Sequence, residues 1–376
     1  MRKLIIGALL FISTMAVAAL SSPKVGGIDY AEGVVTIGRG GKVISAPNIG
    51  DPILSGDFIK TQGDGMLIIA MDKNTGMNGK ITVRPRSSLY INLDDVKGEP
   101  RTQIQILTGA IGSKVNKLTG SSPTVTVTSS SAVMAVRGTE YEVVVSINAD
   151  DASANAQQAV LVTCMESKVA VNDGMEEVEV SAGKVLEKRP GERLRFLPVA
   201  VSSVRGFSQR WITDEIAAFR ADAPRALADY ATRYADLSAE FAAAYDPFQK
   251  SPTAKKWAEE DRTGAKINPL NPAVMREKKE IAGYLLNIRK ILFVFERVYY
   301  RVDEISDAIA GTADERRDIR PGQTAGDFIQ SVRAEREKLA TQVARYRYIE
   351  ELFRQRDPDG EAFSSDDDFF ASPDGF

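Results

Sequence analysis

The spacing of apolar residues changes once along this chain, and that change constrains the architecture more than any other feature. Between residues 25 and 201, apolar and polar residues alternate over short runs that are rich in β-branched residues and separated by turn residues. After Gly206, apolar residues recur every three or four positions in segments rich in alanine, glutamate and arginine. We therefore expect an α+β protein with segregated domains, an all-β domain over residues 25–201 and an α-helical, coiled-coil-like bundle over residues 206–356.

Three helical regions follow from the second spacing. The clearest is a heptad-like stripe of nine apolar residues, Ile281, Leu285, Ile288, Leu292, Phe295, Tyr299, Val302, Ile305 and Ile309. Similar stripes cover residues 212–241, with a kink or break expected at Pro224, and residues 329–353. Asp246-Pro247 and Ser251-Pro252 are expected to end the first region, whereas a separate helix around Trp257 is left open.

The N-terminus has the pattern of a secretory signal peptide. Arg2 and Lys3 precede an apolar run over residues 4–20, which closes on the small-x-small pattern Ala16-Val17-Ala18. We expect residues 1–20 to be a cleavable signal peptide and the mature chain to be periplasmic or secreted. An uncleaved signal anchor is the alternative, and it would be the chain's one link to a membrane.

Composition excludes several classes of function. A net charge of −3 does not favour nucleic acid as a partner. The chain has no histidine and one cysteine, Cys164, so it cannot form a Ser-His-Asp triad, an intrachain disulfide or a cysteine-based structural zinc site. Cys164 lies in an apolar β-like run and is expected to be buried. We expect no catalytic residue, no cofactor and no metal.

Three motifs resemble parts of a catalytic, a calcium-binding and a phosphate-binding site, but none has all the features that such a site needs. Asp57 and Asp64 are carboxylates near turns, as a glycosidase would need, although acidic residues in turns more often cap the backbone. Residues 72–76 begin like a calcium loop but lack its later acidic ligand. Residues 37–42 are glycine-rich but open no helix, so a turn is expected there instead of a phosphate site.

A series of motifs in the β half carries a resemblance to a known family. In chain order they are residues 54–61 (LSGDFIKT), 83–89 (VRPRSSL), 106–111 (ILTGAI), 125–128 (VTVT), 135–143 (AVRGTEYEV), 166–171 (ESKVAV) and 182–183 (AG). Together they resemble the FecR domain over about residues 50–185. Ser167 stands where the family frequently has glycine.

The resemblance implies a fold and a class of function. It implies a β-solenoid-like or rolled β architecture, and an extracytoplasmic role in protein interaction and signalling. In the founding family an anti-sigma segment precedes the membrane helix. Three residues precede the apolar run here, so we expect this chain to lack that segment and not to control a sigma factor directly.

Five residues are singled out as a structural motif: Gly56, Asp57, Arg137, Gly138 and Thr139. A glycine flanked by strand residues marks a bulge or a bend, and the guanidinium of Arg137 can donate up to five hydrogen bonds to carbonyls that a bend leaves unpaired. We therefore expect Gly138 to permit a bend and Arg137 to hold it in place.

Residues 357–376 form an acidic tail that contains no basic residue. Self-repulsion predicts an extended, disordered segment that favours solubility. The alternative is a short docking motif, because Phe369 and Phe370 follow three aspartates and aromatic side chains are good anchors.

These observations favour a non-enzymatic protein of the cell envelope that acts in protein binding, signalling or assembly. Its expected partner is an envelope protein or polymer, and the helices are a second interface that offers a route to homo-oligomers. The alternative from another class is a carbohydrate- or peptidoglycan-acting enzyme, or a glycan-binding protein.

We predict that Arg137→Ala lowers the stability of the β domain before it affects any binding, because the variant loses the donors expected to hold the bend. Urea unfolding of the variant and the wild type measures the effect. A variant that stays fully stable but no longer binds its partner would instead make Arg137 a contact residue.

Overall fold

The computed structural model describes residues 22–39, 42–75, 78–96, 99–115, 125–136, 140–146 and 158–357. The strands of the first half are β1 (Lys24–Glu32), β2 (Val35–Arg39), β3 (Lys42–Ser45), β4 (Pro52–Leu54), β5 (Asp57–Thr61), β6 (Met66–Met71), β7 (Gly79–Val83), β8 (Ser88–Val96), β9 (Glu99–Val115), β10 (Val125–Thr128), β11 (Val133–Val136), β12 (Glu140–Val145), β13 (Val160–Cys164), β14 (Lys168–Asn172), β15 (Glu177–Ser181), β16 (Lys184–Lys188) and β17 (Arg195–Leu197). The second half contains α1 (Val204–Lys250), α2 (Pro252–Thr263), α3 (Pro272–Ile309), a hairpin of β18 (Asp318–Arg320) and β19 (Gln323–Thr324), and α4 (Ala325–Arg356).

The first seventeen strands form two ladders that share β9. One ladder has the order β4-β1-β6-β7-β9-β12-β13-β16-β17, and the other has the order β3-β2-β5-β8-β9-β10-β11-β14-β15. We call them the first and the second ladder. Among the described strands, neighbours pair antiparallel except β9 and β10, which run parallel. The predicted order of a sheet-rich region followed by a helical region is confirmed, whereas the solenoid-like, coiled-coil-like and domain-boundary details stay predictions.

Strand β9 changes ladders at Gly109. Residues before Gly109 pair with β8 in the second ladder, and residues from Gly109 onward pair with β12 or β7 in the first. Gly109 has a φ of +93°, and a Cβ there would lie 2.5 Å from the Cα of buried Ser87. Glycine is required at this position because a side chain would be strained in both backbone conformation and space.

The two ladders face each other across one apolar core. Inward side chains from the second ladder, such as Ile37 and Ile59, pack in the same cluster as Leu67 and Ile69 from the first. Cys164 is in this cluster and is completely buried, as the apolar run around it predicted. Alternation along each strand places every second residue in this core.

The first ladder is also buried on its outer face. Leu161 and Val185 point away from the core between the ladders and pack with Val204 and Trp211 at the start of α1. Burial on both faces explains why Val160, Leu161 and Val162 of β13 are consecutive apolar residues, since every residue of this strand is buried.

The helical region differs from expectation at two prolines. Helix α1 continues through Pro224 and Pro247 to Lys250, so a break at Pro224 and an end at Asp246-Pro247 are wrong, whereas the expected end at Ser251-Pro252 is confirmed and a kink at Pro224 stays a prediction. A proline inside a helix removes one backbone hydrogen bond. Phe219, Ala223 and Leu227 around Pro224 are buried in the helical core, and this packing offsets the loss.

Other local signals correspond to helix ends. Ser251 accepts a hydrogen bond from the Ala254 amide and Pro252 begins α2, so the segment around Trp257 is a helix of its own. Asn271 and Pro272 begin α3 in the same way, and Thr324 and Asp327 form a capping box at α4.

Ser167 adopts a left-handed backbone conformation, with a φ of +59°. This conformation favours glycine and explains why the family frequently has glycine there.

Three predictions lie outside the described residues: the signal peptide at 1–20, the motif Arg137-Gly138-Thr139 and the tail after Asp357. None of the helices in the described ranges contains an apolar stretch that could span a bilayer.

We predict that Gly109→Ala lowers the free energy of unfolding by about 2 kcal/mol or more, because alanine is strained at a positive φ and its Cβ overlaps Ser87. Gly112→Ala is the matched control on the same strand, since its Cβ would have no neighbour closer than 3.9 Å. Urea unfolding of both variants measures the difference. Equal stability of the two would show that β9 does not need a glycine to change ladders.

Candidate binding groove between sheet and helices

The outer face of the second ladder presents an aromatic and charged surface to the helices. In β5, Ile59 points into the core between the ladders, so its neighbours Phe58 and Lys60 point outward. In β8, Leu89 and Ile91 point inward and Tyr90 points outward. Tyr90 is nevertheless 5% exposed, which shows that the helices cover this face.

Helix α3 covers part of this face through three direct contacts. The Tyr90 hydroxyl donates a hydrogen bond to Glu296, and Lys60 forms an ion pair with Asp303. The Phe58 and Tyr300 rings stack with their centroids 5.0 Å apart. Residues separated by more than 200 positions in the sequence therefore hold the sheet and the helices together.

Helix α4 completes the cluster with Arg347. Its guanidinium lies 4.6 Å from the centre of the Tyr90 ring, in the geometry of a cation–π contact. The same group lies 3.6 Å from the Glu296 carboxylate and 3.4 Å from that of Glu350. Arg347 thus contacts both a sheet side chain and the two helices.

Burial dominates the electrostatics of this cluster. Loss of water raises the pKa of Glu296, and Arg347 opposes that shift. Burial and the nearby Glu296 carboxylate raise the pKa of Tyr90 well above its ordinary value. Burial alone would lower the pKa of Arg347, but Glu350, Tyr90 and Glu296 raise it, so the guanidinium stays charged.

Beside this cluster lies an open groove of about 130 Å³, between β2, β3 and β5 on one side and α3 and α4 on the other. Its walls are aromatic and aliphatic, and its basic residues are Arg39, Lys60, Arg336 and Arg347. The other lining residues are Thr36, Gly38, Val43, Gly56, Phe58, Tyr90, Glu296, Tyr299, Tyr300, Leu339, Ala340, Val343 and Ala344. We call it the sheet–helix groove. A mostly apolar concave surface with a few charged groups is typical of a binding site.

A second, smaller hollow of about 50 Å³ continues along the same helices. It is lined by Asn92, Gln103, Ile104, Gln105, Leu107, Thr128, Arg289, Leu292, Glu296, Tyr346, Arg347, Glu350 and Arg354. Glu296 and Arg347 line both spaces, so the two are neighbours. We call this space the lower hollow.

Gly56 and Asp57 lie at the turn between β4 and β5, where Gly56 has a φ of +88°. Asp57 is 1% exposed, and its carboxylate accepts hydrogen bonds from Arg39 Nε at 2.7 Å and from the Leu54 amide at 2.8 Å. Burial raises the pKa of Asp57, while Arg39 and the Leu54 amide oppose the shift. These contacts tie the turn to β2, and the structural role proposed for the pair stays a prediction.

The other candidate residues are not gathered into a site. Asp64 is exposed and accepts a hydrogen bond from the Val34 amide, and neither Asp57 nor Asp64 lines the sheet–helix groove. Asp72 accepts a hydrogen bond from the Asn74 amide and lies near Lys24. In the described part of the chain, no group of acidic or cysteine side chains could hold a metal ion.

The residues of the groove were not predicted from the sequence, although the sequence contains one signal of them. Phe58 and Tyr90 are large aromatic residues at outward positions of strands whose neighbours form the core. An aromatic side chain on that face indicates that something covers it. The sequence did not identify the helical residues that cover this face, because Tyr300 and Arg347 lie outside the predicted apolar stripes of their helices.

The fold and the groove define a two-ladder β protein with helices packed on its outer faces. Residues 57–186, which are 130 of the chain's 376 residues, match the model of the FecR protein family. The predicted resemblance is confirmed, and the chain contains a FecR domain. The matched range begins at Asp57 and includes Phe58, Lys60 and Tyr90, so part of the sheet side of the groove belongs to this domain, whereas the lining residues of β2 and β3 precede the match.

The other comparisons found distant similarity. Two crystal structures of a protein from Parabacteroides distasonis, provisionally described as an anti-sigma factor, share 10% identity with this chain at a TM-score of 0.32. The alignments cover 40% of this chain and 64% of that protein, so this chain spans less than two thirds of it. No curated protein matches. The FecR domain supports a role in signalling or regulation.

We predict that Tyr90→Phe makes stability less sensitive to alkaline pH. The folded pKa of Tyr90 is raised, so above about pH 10 the unfolded state loses a proton that the folded state keeps, and stability falls as pH rises. Removing this one group should reduce the slope by up to about 1.4 kcal/mol per pH unit. Urea unfolding between pH 9 and 11.5 measures it, and equal slopes would contradict burial of the phenol.

Proposed function

We propose that this chain is a non-enzymatic signalling protein that is periplasmic or secreted and binds a protein partner at the sheet–helix groove. The observation that carries the proposal is the FecR match over residues 57–186. The N-terminal signal-peptide pattern supports the location, and the aromatic and basic lining of the groove supports a protein as the partner.

The position of the groove supports a role for both halves of the chain. Phe58 and Lys60 of the FecR domain form one wall, whereas Tyr300 and Leu339 of the helices form the other. A partner bound there would contact both halves at once. The helices are therefore part of the binding surface in this proposal and not an appended assembly domain.

The buried cluster beside the groove supports transmission between the halves. Tyr90, Glu296 and Arg347 line the groove and also join β8 to α3 and α4. Separating such groups leaves buried charges unpaired, at a cost of about 3–5 kcal/mol. A partner that displaced Arg347 would thus change how the helices sit on the FecR domain.

Photo-crosslinking in the native cell tests the proposal. We expect a benzophenone amino acid at Val43, which lines the groove and is 56% exposed, to crosslink a discrete protein. Val34 is the matched control, because it is the same residue type, is 51% exposed and does not line the groove. The products are identified by mass spectrometry.

The outcomes separate the candidate functions. A protein adduct at position 43 and none at position 34 supports the proposal. Equal adducts at both positions, or no protein adduct at either, would contradict it. An adduct with envelope polysaccharide at position 43 would instead favour the glycan-binding alternative.

A further inference from the structure

The sheet–helix groove and the lower hollow form one path along a single face of α4. The residues of α4 that line them are Arg336, Leu339, Ala340, Val343, Ala344, Tyr346, Arg347, Glu350 and Arg354. Most of these positions are separated by three or four residues, which places them on the same side of a helix. The path therefore runs from near the C-terminal end of α4 back toward its middle, with the outer face of the second ladder opposite.

The path carries an excess of positive charge. Its lining includes six basic side chains, Arg39, Lys60, Arg289, Arg336, Arg347 and Arg354, and two acidic ones, Glu296 and Glu350. Arg39, Lys60 and Arg347 already pair with carboxylates of the fold. Arg336 is exposed and has no ion pair with a described residue, so it is available to a negatively charged occupant.

The sequence after Asp357 has the complementary chemistry. Residues 358–376 contain six acidic residues, four phenylalanines and no basic residue. The segment Asp366-Asp367-Asp368-Phe369-Phe370 places three carboxylates directly before two adjacent aromatic rings. Aromatic anchors beside charged groups suit an apolar groove with a basic rim.

The tail also begins close to the lower hollow. Arg356 is completely buried, with its guanidinium 4.4 Å from the centre of the Trp257 ring, and Asp357 pairs with Lys278 of α3 at 2.5 Å. These contacts fix the end of α4. The tail therefore leaves the helix three residues after Arg354, which lines the lower hollow.

The length of the tail is sufficient for it to reach the groove. Leu339 lies 17 residues before Arg356, which corresponds to about 26 Å along the helix. Phe369 lies 12 residues beyond Asp357, and an extended chain of that length spans about 40 Å. The tail can turn back along α4 and reach the groove with residues to spare.

We propose that the acidic tail of this chain folds back along α4 and docks Phe369 and Phe370 in the sheet–helix groove, with Asp366–Asp368 facing Arg336. The groove is then occupied by the chain itself, and an external partner must displace the tail to bind there. This inference does not depend on the identity of that partner.

Competition with a labelled peptide tests the proposal in the full chain. The probe is a fluorescein-labelled peptide of residues 361–376, and its binding is followed by fluorescence anisotropy. We expect it to bind the Phe369→Ser/Phe370→Ser chain about tenfold more tightly than the wild type, because a tethered tail competes at an effective concentration near millimolar. Circular dichroism melts check that both proteins are folded.

Matched variants locate the binding site. In the Phe369→Ser/Phe370→Ser chain, Arg336→Glu should weaken peptide binding at least fivefold, whereas Lys338→Glu should change it less than twofold. Lys338 is exposed on the same helix, undergoes the same change of charge and does not line the path. A peptide that carries the two serines but keeps its aspartates should bind at least tenfold more weakly than the probe.

Three results would overturn the proposal. Equal peptide affinity for the wild type and the Phe369→Ser/Phe370→Ser chain would show that the tail does not occupy the groove. Equal effects of Arg336→Glu and Lys338→Glu would place the peptide elsewhere. A wild-type dimer that dissociates in the Phe369→Ser/Phe370→Ser chain, measured by light scattering, would make the occupant the tail of a second copy.

Discussion

The bend in β9 at Gly109 is the constraint on which the rest of the structure depends. One strand serves both ladders because its backbone turns at a positive φ against Ser87. The turn brings the inward faces of the two ladders together over a single apolar core. It also directs two outward faces to opposite sides, and each of these needs its own cover.

The helices cover those outer faces in different ways. On the first ladder, the start of α1 packs Trp211 against Leu161 and Val185, and the Trp211 indole donates a hydrogen bond to Glu187 at 2.9 Å. On the second ladder, α3 and α4 make mixed aromatic and ionic contacts around Tyr90 and leave a groove open beside them. The sheet–helix groove, with its space for a ligand, lies on the side of the second ladder.

Much of this fold was predictable because its local signals are strong. Alternating runs became strands, and the stripe from Ile281 to Ile309 became the seam of α3. The errors have a physical cause. Pro224 removes one backbone hydrogen bond from α1, so helix propensity alone predicts a break there. Packing of the flanking residues in the helical core compensates for the lost hydrogen bond. The groove was missed because Phe58 and Tyr300 are 242 positions apart.

The sequence by itself determined the order of a β half and an α half, the FecR domain within the first, and the sharply acidic character of the final residues. Periodicity and motif order are local properties, so they can be recognised in the sequence without a structure. The tertiary structure decided which outward side chains meet, that Tyr90 is buried against Glu296 and Arg347, and that α4 runs beside an open groove. Those contacts join distant segments, and their partners depend on how the ladders bend and the helices pack, which no local pattern encodes.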